Sequence, residues 1–213
     1  MIIKRTFKYR LKLKRDQQSK FAKFAGSCRF LYNFGLNLKK SEYEKNQTKL
    51  SYYDLNNKLP NLKKEHPWLK EIHSQILQQS LKDLDQGFQH FFRRLKNKEK
   101  PGYPKFRRKG EHDSFRYPQG FKVNQDQIYL PKIGWTRFIK SREIKGAIKQ
   151  VTIIKEGNHW YVCFSCKIDQ KEKRPIIDRN KSIGIDVGIL NYTTMAIGAE
   201  NKIEKEINKS FLL

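Results

Sequence analysis

The chain has 213 residues, and its 46 lysines and arginines against 21 aspartates and glutamates give a formal net charge of +25. This excess is larger than solubility requires and indicates a polyanionic partner, either nucleic acid or acidic lipid. No apolar run reaches the roughly 18 residues that a membrane-spanning helix needs, and the N-terminus lacks a signal-peptide core. The three cysteines are too few and too odd in number for a disulfide framework. We therefore expect a soluble intracellular protein with no membrane partner.

The first fifteen residues, MIIKRTFKYRLKLKR, alternate apolar and basic side chains. A period of two residues predicts a β-strand with one apolar and one basic face. Residues 1–40 contain twelve lysines and arginines but a single acid, Asp16, which favours a phosphate-binding role for the basic face. An edge strand whose lysines only discourage aggregation is the alternative.

From Asp16 the apolar residues recur at steps of three and four, which predicts a long amphipathic helix. The stretch SYYD at 51–54 resembles a capping box and predicts a second helix start, and Ser74 opens a third helical segment. We expect residues 16–98 to form a helical bundle. We assign the apolar stripe of its last helix to the core: Ile76, Leu77, Leu81, Leu84, Phe88, Phe91, Phe92 and Leu95.

The bundle ends in a basic segment, FFRRLKNKEKPGYPKFRRKG, with nine lysines and arginines and one acid between residues 93 and 109. Aromatic residues and prolines between the cations suit contact with phosphates and unstacked bases, although a solvated charged loop would look similar. The candidate nucleic-acid contacts of the whole chain are Lys4, Lys8, Arg10, Lys12, Lys14, Arg15, Arg29, Arg93, Arg94, Tyr103, Lys105, Phe106, Arg107, Arg108, Lys109 and Arg116.

Residues 114–168 read as short alternating strands separated by polar or glycine-containing turns, which predicts a small β-barrel or sandwich. Cys163 and Cys166 form a C-x-x-C pair within one of these strands. In an extended strand, residues three apart point to opposite faces, and no second ligand pair follows, so we expect no zinc site.

The stretch SIGIDVGILNYTTMAIG at 182–198 predicts two antiparallel strands, the first of which carries Asp186 among apolar residues. A carboxylate in such a strand needs hydrogen bonds, a cation or a proton. Metal binding is the natural compensation, and an ordinary turn or capping acid is the alternative.

Nearly the whole chain resembles the TnpB (OrfB) proteins of bacterial insertion sequences, which are relatives of the type V CRISPR nucleases. The stretches that carry the resemblance, in the family's order, are YRLKLKRDQQSKFAKFAGSCRFLYNFGLN, PWLKEIHSQILQQSLKDLDQGFQHFFRR, GYPKFRRKG, SFRYPQ, LPKIGW, VTIIKEGNHWYVCFSCKI and GIDVGILNYTTMA. The resemblance implies an α+β fold. Residues 1–15 and 99–172 would form an OB-like wedge barrel, 16–98 a helical recognition insert, and 182–213 the first strands of a RuvC/RNase H-like fold.

The resemblance also implies a function: family members are RNA-guided DNA endonucleases encoded by transposons, with guide RNA and target DNA as partners. Their RuvC site cleaves with Mg²⁺, and Asp186 matches its first carboxylate. The further glutamate and aspartate of that site and the family's zinc-binding cysteine pairs have no counterpart in these residues. Since one aspartate cannot hold two metal ions, we expect the 213 residues alone to bind no Mg²⁺ tightly and not to cleave.

Two other functions fit the same residues. One is a stand-alone DNA-binding regulator that reads duplex DNA by a helix-turn-helix, and the other is an RNA-binding accessory protein. For all three functions we expect a bacterial protein that is located in the cytoplasm and associated with the nucleoid.

Overall fold

The structure is a computed structural model that describes residues 2–111 and 113–169 in full, together with the backbone of three short strands further along the chain. The chain divides into two compact units, Met1–Asp169 and Gln170–Leu213. The elements of the first unit are β1 Ile2–Lys12, α1 Arg15–Asn46, α2 Tyr52–Asn57, α3 Leu59–Glu65, a 3-10 helix Pro67–Glu71, α4 Ser74–Lys96, β2 Ser114–Tyr117, β3 Lys122–Asn124, β4 Gln127–Leu130, β5 Gly134–Phe138, β6 Ala147–Glu156 and β7 His159–Asp169.

The seven strands form one antiparallel sheet in the order β2-β6-β7-β1-β5-β4-β3. Strand β1 lies in the middle, paired with β7 from Ile2 to Arg10 and with β5 at Leu11 and Lys12. The predicted strand with two faces is confirmed, because Phe7, Tyr9 and Leu11 are buried while the basic residues between them are exposed. Strand β1 thus pairs with strands that come after α1 to α4 in the chain.

Helix α1 is one uninterrupted helix of 32 residues, longer than the predicted amphipathic segment. Its apolar stripe packs on α4, and Gly35 permits the close approach, because an added Cβ would lie 3.0 Å from the Cδ2 of Leu84. The Oγ of Ser80 donates a 2.6 Å hydrogen bond to the backbone oxygen of Cys28, which ties the two helices at their centre. The capping box predicted at Ser51 is confirmed, with the Asp54 N–H donating to the Ser51 Oγ.

Aromatic side chains join the helices to the sheet. The ring of Phe21 on α1 meets the rings of Phe115 on β2 and Trp160 on β7 edge-on, at centroid distances of 5.5 and 5.4 Å. All three side chains are buried. Such edge-to-face contacts add to the free energy of burial and hold the N-terminal half of α1 against the sheet.

The assignment of the whole α4 stripe to the core is wrong at its C-terminal end. Phe92 is 51% exposed and Leu95 is 55% exposed. Leu84 is the last buried residue of α4, and the three turns that follow it carry only half-buried or exposed side chains. Tyr103 of the following loop covers part of the remainder, packing on Phe88 and Phe91.

The mixed architecture confirms the α+β class. Strands β2 and β3 stand at the two ends of the sheet order. The OB-like wedge barrel, the helical insert at 16–98 and their boundaries stay predictions.

Among the described residues, no helix is both long and apolar enough to cross a bilayer.

The described backbone of the second unit is a small antiparallel sheet. Its strands are β8 Ile183–Asp186, β9 Thr194–Ile197 and β10 Lys202–Glu204, in the order β10-β9-β8. The predicted antiparallel pair is confirmed, with Asp186 opposite Thr194. The RuvC-like assignment of 182–213 stays a prediction, because most of that segment lies outside the described residues.

Candidate nucleic-acid interface

Two adjoining cavities of about 370 and 330 Å³ lie between the start of α1, the end of β1 and the β6–β7 turn. They share Gln18, Asn158 and Trp160 as lining residues, so they form one continuous depression. We call this depression the basic groove, since it is lined by five cations: Arg10, Lys12, Arg29, Lys109 and Lys155. A concave surface lined by one sign of charge concentrates an oppositely charged partner.

Local geometry explains why these cations converge. Lys12 and Arg10 stand on the exposed face of β1, opposite the buried face that anchors the strand. The tight turn at Gly157, where φ is +54°, brings Asn158 and His159 to the rim of the groove. The backbone N–H of Lys155 donates a 2.9 Å hydrogen bond to the oxygen of Asp113, which fixes the adjoining loop.

Arg29 contributes to the groove with a charge that is already paired. Its Nη1 lies 2.6 Å from the Oδ1 of Asp113, and both side chains are mostly buried. The pair joins α1 to the segment just before β2. Arg29 therefore has a structural role, and a direct contact with nucleic acid stays a prediction.

Two other predicted contacts also lie in internal interactions. The guanidinium of Arg107 sits 3.8 Å from the centroid of the Tyr32 ring. The Nη2 of Arg116 lies 3.3 Å from the Oδ1 of Asp83. Burial raises the pKa of the Asp83 carboxyl, and the two arginines oppose that rise. These arginines anchor the loop and β2 to the helices, so their predicted role in nucleic-acid contact stays open to test.

Lys8 is exposed but paired. Its ammonium bonds the carboxylate of Glu156 and lies 4.5 Å from the centroid of the Tyr161 ring. The hydrogen bond to Glu156 raises the pKa of the Lys8 ammonium. Of the other candidates outside the groove, those with exposed side chains are Lys4, Lys14, Arg15, Arg93, Arg94, Tyr103, Lys105, Phe106 and Arg108.

The sequence analysis did not identify the groove residues Gln18, Lys155, Asn158 and His159. Asn158 and His159 belong to the stretch EGNH, interpreted only as a turn between two strands, and Lys155 directly precedes it. Polar turn residues beside a lysine are common, so the sequence carries no signal that singles them out. Only the folded position of the turn beside α1 reveals them.

The predicted metal ligand is Asp186. The backbone of Asp186 ends β8, and its side chain lies outside the described residues. Among the side chains that the structure describes, no group of three or more His, Cys, Asp or Glu is arranged to hold a metal ion. The thiols of Cys163 and Cys166 lie on opposite faces of β7 and do not converge on one point.

The chain matches a protein-family model and two named relatives. The family model HTH_OrfB_IS605, described as a helix-turn-helix domain, matches residues 1–48. The Escherichia coli (strain K12) protein "Putative RNA-guided DNA endonuclease InsQ" is 34% identical over 196 residues, covering 90% of this chain and 47% of that protein. A Streptomyces pristinaespiralis protein named "Putative RNA-guided DNA endonuclease" is 27% identical over 204 residues, covering 92% and 49%.

A cryo-EM structure of the Cas12f1–sgRNA–target DNA complex resembles the chain with a TM-score of 0.38 and 15% identity, covering 95% of this chain and 56% of that one. The sequence matches confirm the resemblance, and the chain belongs to the TnpB (OrfB) family. It spans about half the length of the curated relatives it matches.

The name of the family model and the geometry of the matched segment differ. The described part of this segment, residues 2–48, contains strand β1 and the single continuous helix α1. A helix-turn-helix needs two helices joined by a short turn, with the second one in the major groove. The matched segment does not have that arrangement.

Proposed function

We propose that this chain binds guide RNA and target DNA as the nucleic-acid-binding part of an RNA-guided DNA endonuclease. The observation that carries the proposal is the basic groove, in which cations from β1, the loop before β2 and the end of β6 face one depression. Lysine and arginine side chains that follow a groove neutralise backbone phosphates without reading sequence. The two relatives are named as RNA-guided DNA endonucleases, which suggests the class of activity.

The basic groove suits a protein that holds nucleic acid without reading its sequence. In a guided nuclease the sequence is read by base pairing, and the protein holds the heteroduplex by shape and backbone charge. The groove carries cations together with Gln18 and Asn158, whose amides can donate to phosphate or sugar oxygens. It offers no recognition helix of the helix-turn-helix kind, so a stand-alone duplex reader is the less favoured function.

Asp186 is proposed as the first carboxylate ligand of the family's divalent metal site. The support is its match to the family motif and its position at the end of a short strand. When bound, Mg²⁺ would stabilise charge on the phosphate that is cleaved. The other carboxylates of that site have no counterpart in these residues, so we expect the 213-residue polypeptide to bind rather than cut.

RNA extracted from the purified chain and sequenced tests the proposal. The expected result is one structured transcript, whose variable end directs binding of a DNA target complementary to it. An RNA-binding accessory protein would retain the transcript but would not bind the matched DNA. A regulator would bind a defined duplex with no RNA present, and that outcome would contradict the proposal.

A further inference from the structure

The outward face of strands β5, β4 and β3 carries two aromatic side chains among cations. Trp135 on β5 is the direct cross-strand partner of Tyr129 on β4, and Tyr129 is the partner of Lys122 on β3. Direct partners in an antiparallel sheet point to the same side. The opposite side of these strands holds the buried Ile128, Leu130, Thr136 and Phe138. Trp135, Tyr129 and Lys122 therefore form one row on the outer surface.

A second row runs beside the first. Arg137 stands two residues beyond Trp135 and so shares its face, and Lys12 on β1 is the partner of Arg137. The Nε of Arg137 lies 3.9 Å from the Oδ2 of Asp126, but the arginine side chain stays 67% exposed. The guanidinium thus remains available to a further anion. We call Lys12, Lys122, Tyr129, Trp135 and Arg137 the aromatic face.

Trp135 is exposed on a strand whose backbone is anchored to α1. It is 47% exposed, although tryptophan is highly buried on average. The Nε2 of Gln17 donates a 3.0 Å hydrogen bond to the backbone oxygen of Trp135, which ties the strand to the start of α1. The ring centroids of Trp135 and Tyr129 are 5.7 Å apart, with the planes inclined at 59°. A rigid exposed ring loses little entropy when a planar ligand stacks on it.

We propose that the aromatic face is a stacking site for an unpaired nucleotide. Its base would lie on the indole of Trp135 beside Tyr129, and its phosphates would contact Lys122 and Arg137. Aromatic rings on a sheet surface, with cations around them, bind splayed bases regardless of sequence. A duplex keeps its bases stacked internally and cannot use the site.

The position of Lys12 favours a nucleic-acid strand as the occupant. Lys12 belongs to the aromatic face and also lines the basic groove. A strand that leaves the groove at Lys12 therefore reaches Arg137 and Trp135 directly. This inference rests on the proposed function, since it assigns the place where an unpaired part of the bound strand lies.

Fluorescence anisotropy with the full chain tests the site. The probes are labelled rU12, labelled dT12 and a labelled blunt-ended duplex of two separate strands, and the variants are Trp135→Ala, Trp135→Phe and Arg137→Gln. The control is Tyr53→Ala, which removes an exposed aromatic ring from α2. We expect Trp135→Ala to weaken single-strand binding by about fivefold or more and to leave duplex binding within about twofold. The probe weakened more, rU12 or dT12, identifies whether RNA or DNA occupies the site.

The other variants separate stacking from charge. Trp135→Phe retains a ring and should recover most of the affinity for single strands. Arg137→Gln should reduce the slope of log K against log salt by about 0.7 for single strands, whereas Trp135→Ala should leave it unchanged. Tyr53→Ala should match the wild-type chain on every probe.

Equal affinity of Trp135→Ala and wild type for single strands would overturn the inference. So would an equal loss for single strands and duplex, because stacking cannot explain it. The proposed function would survive either outcome as long as variants of the basic groove still weaken binding. Failure of the wild-type chain to bind any probe would contradict both the stacking site and the proposed function.

Discussion

The guanidinium of Arg29 lies 2.6 Å from the carboxylate of Asp113, inside the depression that also holds Lys109 and Lys155. Helix α1 and the loop before β2 are thereby joined by an ion pair at the wall of the basic groove. The pair supports the fold and at the same time reduces the positive charge that the groove presents. Stability and binding are therefore opposed at this point.

Replacing Asp113 by asparagine should separate the two effects. The variant loses the ion pair, so we expect its free energy of unfolding to fall by about 1–3 kcal/mol. It also frees the charge of Arg29 in the groove, so its affinity for nucleic acid should rise by a few fold at low salt. Urea denaturation measures the first effect and anisotropy the second. An affinity that falls together with stability would show that Arg29 serves only to hold the fold.

Gly146 is required by a close backbone contact at the start of β6. Its φ is +84°, and an added Cβ would lie 2.5 Å from the backbone oxygen of Lys167. Gly146→Ala should therefore destabilise the chain by about 2–3 kcal/mol, because β6 or β7 must shift. Gly102→Ala is the matched control, since nothing lies within 4 Å of the added atom. Equal midpoints of urea unfolding for the two variants would contradict the contact.

Stability should fall on mild acidification because of His73. Burial lowers the pKa of the His73 imidazole, and the charges of Lys132 and Lys63 lower it further. The buried Nδ1 has no hydrogen-bond partner among the described residues, and a positive charge at the start of α4 would oppose the helix dipole. Above the unfolded pKa of about 6.5 both states are neutral; below it the unfolded state takes up the proton first, and stability is lost.

The measurement is the melting temperature between about pH 7.5 and 5.5, a window that brackets the unfolded value. His73→Gln should flatten the fall of the melting temperature across this range. The exposed His90→Gln controls for the loss of an imidazole elsewhere on the same helix. An unchanged slope in His73→Gln would assign the acid sensitivity to carboxyl groups instead.

The 213-residue polypeptide should not cut DNA. Incubated with the proposed guide RNA, a matched target and Mg²⁺, it should bind the target and leave it intact, because only Asp186 matches the family's catalytic carboxylates. Asp186→Ala should bind guide and target as the unaltered polypeptide does. Cleavage that disappears in Asp186→Ala would contradict this prediction, and gel electrophoresis of the labelled target decides it.

The sequence predicted the strand and the helix whose buried faces follow from the spacing of their apolar residues. The two-residue period of β1 placed Phe7, Tyr9 and Leu11 inside, and the helical period from Asp16 placed Phe21 and Cys28 on a buried stripe. Each of these elements buries one face, so its apolar residues recur with the period of a strand or of a helix.

The sequence did not predict features that depend on contacts between residues far apart along the chain. The apolar period of α4 continues to Leu95, but neighbouring elements bury the helix only as far as Leu84, so Phe92 and Leu95 are exposed. Trp135 alternates with buried residues as in any strand, and only the register with β4 sets it beside Tyr129. Arg107 and Arg116 looked like free cations until their contacts with Tyr32 and Asp83 were seen. A count of charges cannot distinguish a paired arginine from a free one.

The salt dependence of nucleic-acid binding tests the central claim most directly. We would compare the wild-type chain, the groove variant Lys109→Ala/Lys155→Ala, and the control Lys49→Ala/Lys58→Ala, which removes the same charge from exposed sites around α2. If the groove holds phosphates, the slope of log K against log salt should fall by between about 1 and 2 in the groove variant and stay at the wild-type value in the control. Equal slopes in all three proteins would show that the groove does not bind the nucleic acid.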